Sequence, residues 1–302
     1  MWIESLSAIV TVSDDGGSSG RLREELQMLP PGDIRNCMIA LSEDSTLLSR
    51  LFRHRFRGDG GLGGHSFGNL FLAALTEVTG DFTEAIRLSS EVLASKGHIF
   101  PVTISDVRLA AELEDGSIVR GETQISASKL PIRRLRLEPE KCIPLPEALR
   151  AIRAADVITV GPGSLYTSIL PNLLVSQVAR VIGQSRATKI FVNNLMTQPG
   201  ETDGYNSRKH LETIKEYAPE IHFDYVVVNN RRITREQAER YAAEGAYQIG
   251  IDDNHIDDAT DPSTEIVYAD LLYDGEKVRH NSDRLAQVVL DCRKQAQAPV
   301  TV

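Results

Sequence analysis

The sequence predicts an α/β protein whose mostly parallel sheet is covered on both faces by helices. Three observations carry that prediction. Short apolar runs of strand length recur at Ser7–Val12, Asp156–Val160, Lys189–Val192 and Asp224–Val228. Near-continuous apolar runs suit strands that are buried on both faces. Amphipathic stretches of helical period separate them, and strands alternating with helices imply βαβ units. Finally, the first two runs flow directly into glycine-rich loops, and open α/β sheets bind ligands beyond the carboxyl ends of their strands.

Taken in order, Ser7–Val12 is the first buried strand. From Arg21 to about Leu75 the pattern is mostly helical, broken at Pro30-Pro31-Gly32 and at Gly58-Asp59-Gly60-Gly61. Asp81 fits the N-cap of a helix that runs to about Ser95. The texture then changes. Phe100 to Ser126 reads as paired strands around a Glu114-Asp115-Gly116 hairpin turn, and the basic, alternating stretch Lys129–Leu137 adds another strand. This β-rich section, about 99–140, reads as an insertion in one domain spanning residues 1–302. A helix from Pro144 to about Ala155 leads into the second loop-bearing strand. The last helix, about Ser282 to Gln297, shows helical spacing at Leu285, Val288, Val289 and Cys292. The acidic segment Asp252–Asp261 lacks a calcium-loop pattern and reads as a solvated loop.

Composition bounds the function. A chain of 302 residues, 41% hydrophobic and 25% charged, is ordinary globular material and long enough for a full core. A net charge of -9 argues against nucleic acid or an anionic membrane as partner, yet leaves room for a small anion met by backbone amides and a few arginines. The cysteines, Cys37, Cys142 and Cys292, are odd in number and far apart, as in a reducing compartment. No apolar run approaches the roughly 18 residues of a membrane span, and a signal peptide's basic start is missing. A cytoplasmic location is therefore expected.

Glycine-rich loops are where chemistry is expected. Asp14-Asp15-Gly16-Gly17-Ser18-Ser19 lies between a strand and a helix, where glycines let a phosphate approach the backbone and free N–H groups meet it. Asp14 and Asp15 suit a divalent ion, or hydrogen bonds from a sugar or base; the plainer alternative is a tight turn with capping aspartates. Gly63-Gly64-His65-Ser66-Phe67-Gly68-Asn69 precedes an apolar helix. There Ser66 is a fitting N-cap, Gly68 suggests a close approach, and His65 is either an acid/base group or a capping residue. Gly161-Pro162-Gly163-Ser164 again sets hydroxyls and N–H groups at a helix start. In Pro31-Gly32-Asp33-Ile34-Arg35-Asn36, Asp33 caps a helix or assists proton transfer, while Arg35 faces a phosphate or a structural carboxylate. The cluster Arg53, His54, Arg55 and Arg57 reads as a solvated helix face. There is no P-loop, no dinucleotide fingerprint and no GxSxG elbow, which sets aside P-loop, dehydrogenase and serine-hydrolase chemistry.

The stretches TVSDDGGSSGRLR (11–23), PPGDIRN (30–36), GGHSFGNL (63–70) and TVGPGSLYTSILPNLLV (159–175) resemble the YvcK family of gluconeogenesis factors, within the CofD-like superfamily of 2-phospho-L-lactate transferases. The resemblance runs over essentially the whole chain. It implies a Rossmann-like three-layer core. For the transferase branch it implies movement of a phospholactyl group from a nucleotide diphosphate donor with a divalent metal such as magnesium. For the YvcK branch it implies binding of UDP-sugars such as UDP-N-acetylglucosamine, and a role in cell shape and envelope synthesis during gluconeogenic growth, with regulatory protein partners. The motifs lie closer to the second branch. A nucleotide-sugar site then maps onto Asp14, Asp15, Gly16, Gly17, Ser18, Ser19, Arg35, Ser66, Gly68, Asn69, Gly161, Gly163 and Ser164, with Arg279 as a further contact. Asp14, Asp15, Asp33 and His65 are the catalytic candidates if a reaction occurs, and Asp14 and Asp15 the metal candidates. A homodimer is the default assembly. The family opens with a strand and a GGGTGL-type loop that this chain does not show, so roughly 15–25 preceding residues are expected, the length of one strand, its loop and a helical turn.

Overall fold

A computed structural model describes residues 3–42, 47–251 and 256–297. Its strands are β1 (Ser7–Val10), β2 (His98–Pro101), β3 (Arg108–Leu113), β4 (Ile118–Arg120), β5 (Ile132–Glu138), β6 (Val157–Val160), β7 (Thr188–Val192), β8 (Tyr225–Asn229) and β9 (Glu265–Ala269). The helices are α1 (Gly17–Leu26), α2 (Gly32–Leu41), α3 (Leu47–Arg53), α4 (Phe67–Thr79), α5 (Phe82–Val92), α6 (Glu122–Ala127), α7 (Pro146–Ala154), α8 (Leu170–Leu174), α9 (Val178–Gln184), α10 (Ser207–Tyr217), α11 (Arg235–Ala243) and α12 (Ser282–Gln297).

All pairings among β6, β7, β8 and β9 are parallel, in that order, and β1 pairs in parallel with β2. Every residue of β7 and β8 is buried, as their continuous apolar character requires. Period-two alternation divides the side chains between two faces. Phe191, Val226 and Val228 enter the main core, whereas Ile190, Val192, Tyr225 and Val227 pack beneath Cys292 and Leu285 of α12. Helices thus cover both faces, giving a Rossmann-like three-layer arrangement. The main core also takes Val10 of β1, Leu109 of β3 and Leu135 of β5, so the β-rich section shares it.

Several details differ from the sequence reading. The parallel strands fall into two sheets; no ladder joins β1–β2 to β6–β9 among the described residues. Phe100 belongs to β2, whose partner is β1, so the antiparallel sheet β4-β3-β5 begins only at Arg108. Its hairpin turn lies at Glu114–Gly116, where the Gly116 amide donates to the Leu113 carbonyl at 3.0 Å. Residues 122–127 are helical rather than extended, because Gly121 (φ +90°) turns the chain and Asp15 caps the new helix. Strand β9 is an edge strand with exposed and half-buried residues, so it lacks the continuous buried character that marks β7 and β8 in the sequence. In the acidic segment, residues 252–255 lie outside the described residues, and Ile256 opens a short helical turn with its side chain buried. Among the described residues no single helix is long and apolar enough to cross a membrane.

Candidate functional site

Strand β1 delivers the first glycine-rich loop into α1. The N-cap of α1 is Gly16, which has no side chain to cap the helix, so anion-attracting N–H groups are left at its start. Gly16, Ser18 and Ser19 line a cleft of about 270 Å³ together with Arg35, Arg55 and Asn69. Asp14 also lines it; one of its carboxylate oxygens accepts from the Gly16 amide at 2.8 Å. Gly32, at the start of α2, closes the packing there. A Cβ on it would lie 2.3 Å from an Asp14 oxygen and 2.4 Å from Ser19 Oγ, so only glycine lets α2 approach this loop.

The second loop meets the first through a buried chain of polar groups. Ser66 caps α4 by accepting from the Asn69 amide at 3.2 Å. Asn69 Nδ2 donates to Ser18 Oγ at 3.0 Å, and Ser18 Oγ lies 3.0 Å from His65 Nδ1. Burial, and then the neighbouring Arg21, hold the His65 pKa below its ordinary value, which favours the neutral ring, whose bare Nδ1 can accept a hydrogen bond from the Ser18 hydroxyl. The Ser18 oxygen then has lone pairs to offer the Asn69 amide. Asn69 Oδ1 is left buried and without a partner. Gly68 has a steric role instead of a ligand-facing one: a Cβ there would meet Phe52 at 2.8 Å and the Arg35 stem at 2.9 Å.

Arg35 donates to Ser66 Oγ at 2.5 Å and to Asn36 Oδ1 at 2.6 Å. Burial, and next the Arg55 charge, push its pKa down. Arg55 was expected on a solvated helix face. It lies beyond the end of α3, bridged to Ser66, with its guanidinium donating to the Gly64 carbonyl. Two guanidiniums with neutral hydrogen-bond partners therefore share the cleft with the open start of α1.

A carboxyl cluster lies at the other side of the first loop. Burial, then Asp14, push Asp33 up to about 6. Burial, then Asp33 and Asp14, push Glu122 of α6 up to about 8, and its Oε2 is buried without a partner. Asp15 is turned away from the cleft: its Oδ1 accepts from the Thr123 amide and from Thr123 Oγ1, both at 2.9 Å. At the far end of α6, Ser126 Oγ donates to Glu201 Oε1 at 2.9 Å. Asp14 and Asp15 are thus engaged separately, one by the Gly16 amide and the other by Thr123. Among the described residues no group of three or more His, Cys, Asp or Glu side chains is arranged to hold a metal ion.

The third loop does not line the cleft. Gly163 spends its amide and carbonyl on Asn194, at 3.2 and 2.8 Å, and Ser164 Oγ accepts from Gln198 Nε2 at 2.6 Å. Gly161 is packed against the Val192 carbonyl. Arg279 is exposed near the end of β9, its carbonyl accepting from the Tyr273 amide at 2.9 Å; it does not line the cleft either. The sequence reading names Arg55 only within a solvated basic cluster, and it does not name Glu122 or Glu201. Only for Arg55 was there a signal, its place within an arginine cluster.

Comparison with known proteins places this geometry in a family. A family model described as 2-phospho-L-lactate transferase CofD matches residues 3–272. A protein of Halalkalibacterium halodurans named "Gluconeogenesis factor" is 44% identical over 98% of this chain and 91% of its own length. The Bacillus subtilis protein of the same name is 42% identical over 96% of this chain and 91% of its own length. A relative from Nostoc sp. is 47% identical over 95% of this chain, which spans 63% of that relative's length. A crystal structure of a Bacillus halodurans protein superposes with a TM-score of 0.90 at 44% identity, covering 95% of this chain and 91% of that one. The chain belongs to the CofD family and, within it, to the gluconeogenesis factors of the YvcK type.

Proposed function

We propose that the cleft binds the diphosphate-bearing part of a nucleotide sugar, such as UDP-N-acetylglucosamine, and that the protein works by binding rather than turnover. The observation that carries this is the uncapped start of α1 with Arg35 and Arg55 beside it in one cleft. Helix N–H groups and guanidinium forks are the usual donors for phosphate oxygens. The same reading makes it a cytoplasmic factor for cell shape and envelope synthesis in gluconeogenic growth, acting as a homodimer through regulatory protein partners. Thermal stabilisation tests it: UDP-N-acetylglucosamine at a hundred times its Kd should add about 2.7 kcal/mol of stability. GDP and NADP serve as comparators, with and without magnesium. No shift with any UDP-sugar removes the reading.

One observation favours a second reading, transfer of a phospholactyl-type group from a nucleotide diphosphate. Asp33, held near neutrality beside the phosphate-binding loop, suits a general acid/base. The carboxylates do not form a ready metal site, so no step is assigned to a metal. Turnover of a nucleotide diphosphate donor that disappears in Asp33→Asn would establish this reading over the first.

A further inference from the structure

The cleft is wholly polar. Among its lining residues there is no aromatic or aliphatic side chain, only glycines and polar or charged groups. A nucleobase in a protein site normally rests on apolar or aromatic surface. The cleft also offers both charged donors and unmet acceptors. Arg55, exposed, and Arg35, half-buried, are pure donors at the rim. Asn69, only 1% exposed, contributes an Oδ1 that accepts from no group among the described residues. Asp14 adds a carboxylate to the same cleft, one of its oxygens lying with Ser19 Oγ against Gly32. A buried orphan acceptor is costly, and the cost is recovered when a ligand donates to it.

A bare phosphate satisfies the arginines and leaves the acceptors unmet. A nucleobase carries donors and acceptors for both, but it has no apolar or aromatic surface to rest on here. We infer that this cleft holds the sugar-phosphate end of the ligand, its phosphate between Arg35, Arg55 and the start of α1, and its sugar hydroxyls donating to Asn69 Oδ1 and Asp14. Arg55 is thereby a binding residue, and Asn69 is the residue that distinguishes a hydroxylated phosphate ester from a plain phosphate. The inference rests on the reading of this cleft as the phosphate site, and it assigns the base to ground outside it.

Calorimetric titration of the protein with glucose 1-phosphate, methyl phosphate and inorganic phosphate tests it. Glucose 1-phosphate should bind about tenfold more tightly than methyl phosphate, the worth of one good hydrogen bond to a buried acceptor. Arg55→Met should weaken all three ligands by about tenfold, as loss of a charge-assisted hydrogen bond does. Asn69→Leu should abolish the preference, so that glucose 1-phosphate binds that variant no more tightly than methyl phosphate does. The ligand comparison uses the unaltered protein, so it stands if Asn69→Leu fails to fold. Equal affinity for glucose 1-phosphate and methyl phosphate overturns the inference, as does a preference that survives Asn69→Leu. A parallel titration with UDP-N-acetylglucosamine separates the two ideas. Its binding without any glucose 1-phosphate preference retires this inference alone. A glucose 1-phosphate preference without UDP-sugar binding supports it and retires the nucleotide reading.

Discussion

Glu122 sets a pH dependence that a single substitution should expose. Its carboxyl is buried among Asp33, Asp14 and Glu201, which pushes its pKa up to about 8. A folded-state pKa above the unfolded value means that the folded chain holds the proton longer. Stability therefore falls as pH rises from the unfolded pKa of about 4.5 to the folded one near 8, and stays low above it. Glu122→Gln cannot ionise. It should raise stability above pH 8 by on the order of 3 kcal/mol and change little near pH 4.5, read from urea unfolding at both pH values. A variant equally stable or less stable at high pH would contradict the carboxyl cluster. At this scale the site was only partly legible in the sequence. Asp14, Ser18, Ser19, Arg35 and Asn69 stand out in the sequence as residues of glycine-bearing motifs, and the structure brings all five to one cleft. Asp15 misleads, because its true partner Thr123 lies 108 residues further along the chain. Arg55 misleads because an arginine run looks the same whether the helix continues beneath it or, as here, ends at Arg53.

Among elements, α6 ties the β-rich section to the site. Asp15 caps it from the first loop, and Gly121 makes the cap possible: a Cβ at that position would lie 1.9 Å from Asp15 Oδ2. Asp15→Ala should cost about 1 kcal/mol, the usual worth of an N-cap. It should speed amide hydrogen exchange at residues 123–125 while leaving β7 and β8 protected. Uniform acceleration across the chain would mean that the cap supports the whole fold instead. The elements were more legible than their connections. Buried strands β7 and β8 show as continuous apolar runs, and Asp81 does cap α5, accepting from the Glu84 amide at 2.8 Å. The pairing of β2 with β1 was not legible, since a parallel partner is chosen by tertiary packing and leaves no mark in local composition. Helix α6 was hidden for a similar reason: six residues are too few for a helical period to show, and a distant carboxylate fixes their start.

For the whole molecule, one core joins the parallel strands to the antiparallel sheet, with Leu109 and Leu135 in the same cluster as Phe191 and Val226. Unfolding by urea should accordingly be a single transition, with fluorescence and circular dichroism midpoints coinciding. Phe191 has no exposed surface, and Phe191→Ala should lower stability by about 3–5 kcal/mol and shift both probes together. Separate midpoints would show that the β-rich section folds on its own.

The double fastening of α6 has a thermodynamic consequence. Asp15 holds one end from the first loop, and Glu201 holds the other from the segment that follows β7. Neither loop can wander without loosening the short helix between them, so part of the entropy lost on ordering one is already lost for the other. A ligand that ordered the first loop would thereby lower the entropic cost of ordering the segment that follows β7, without any change of shape.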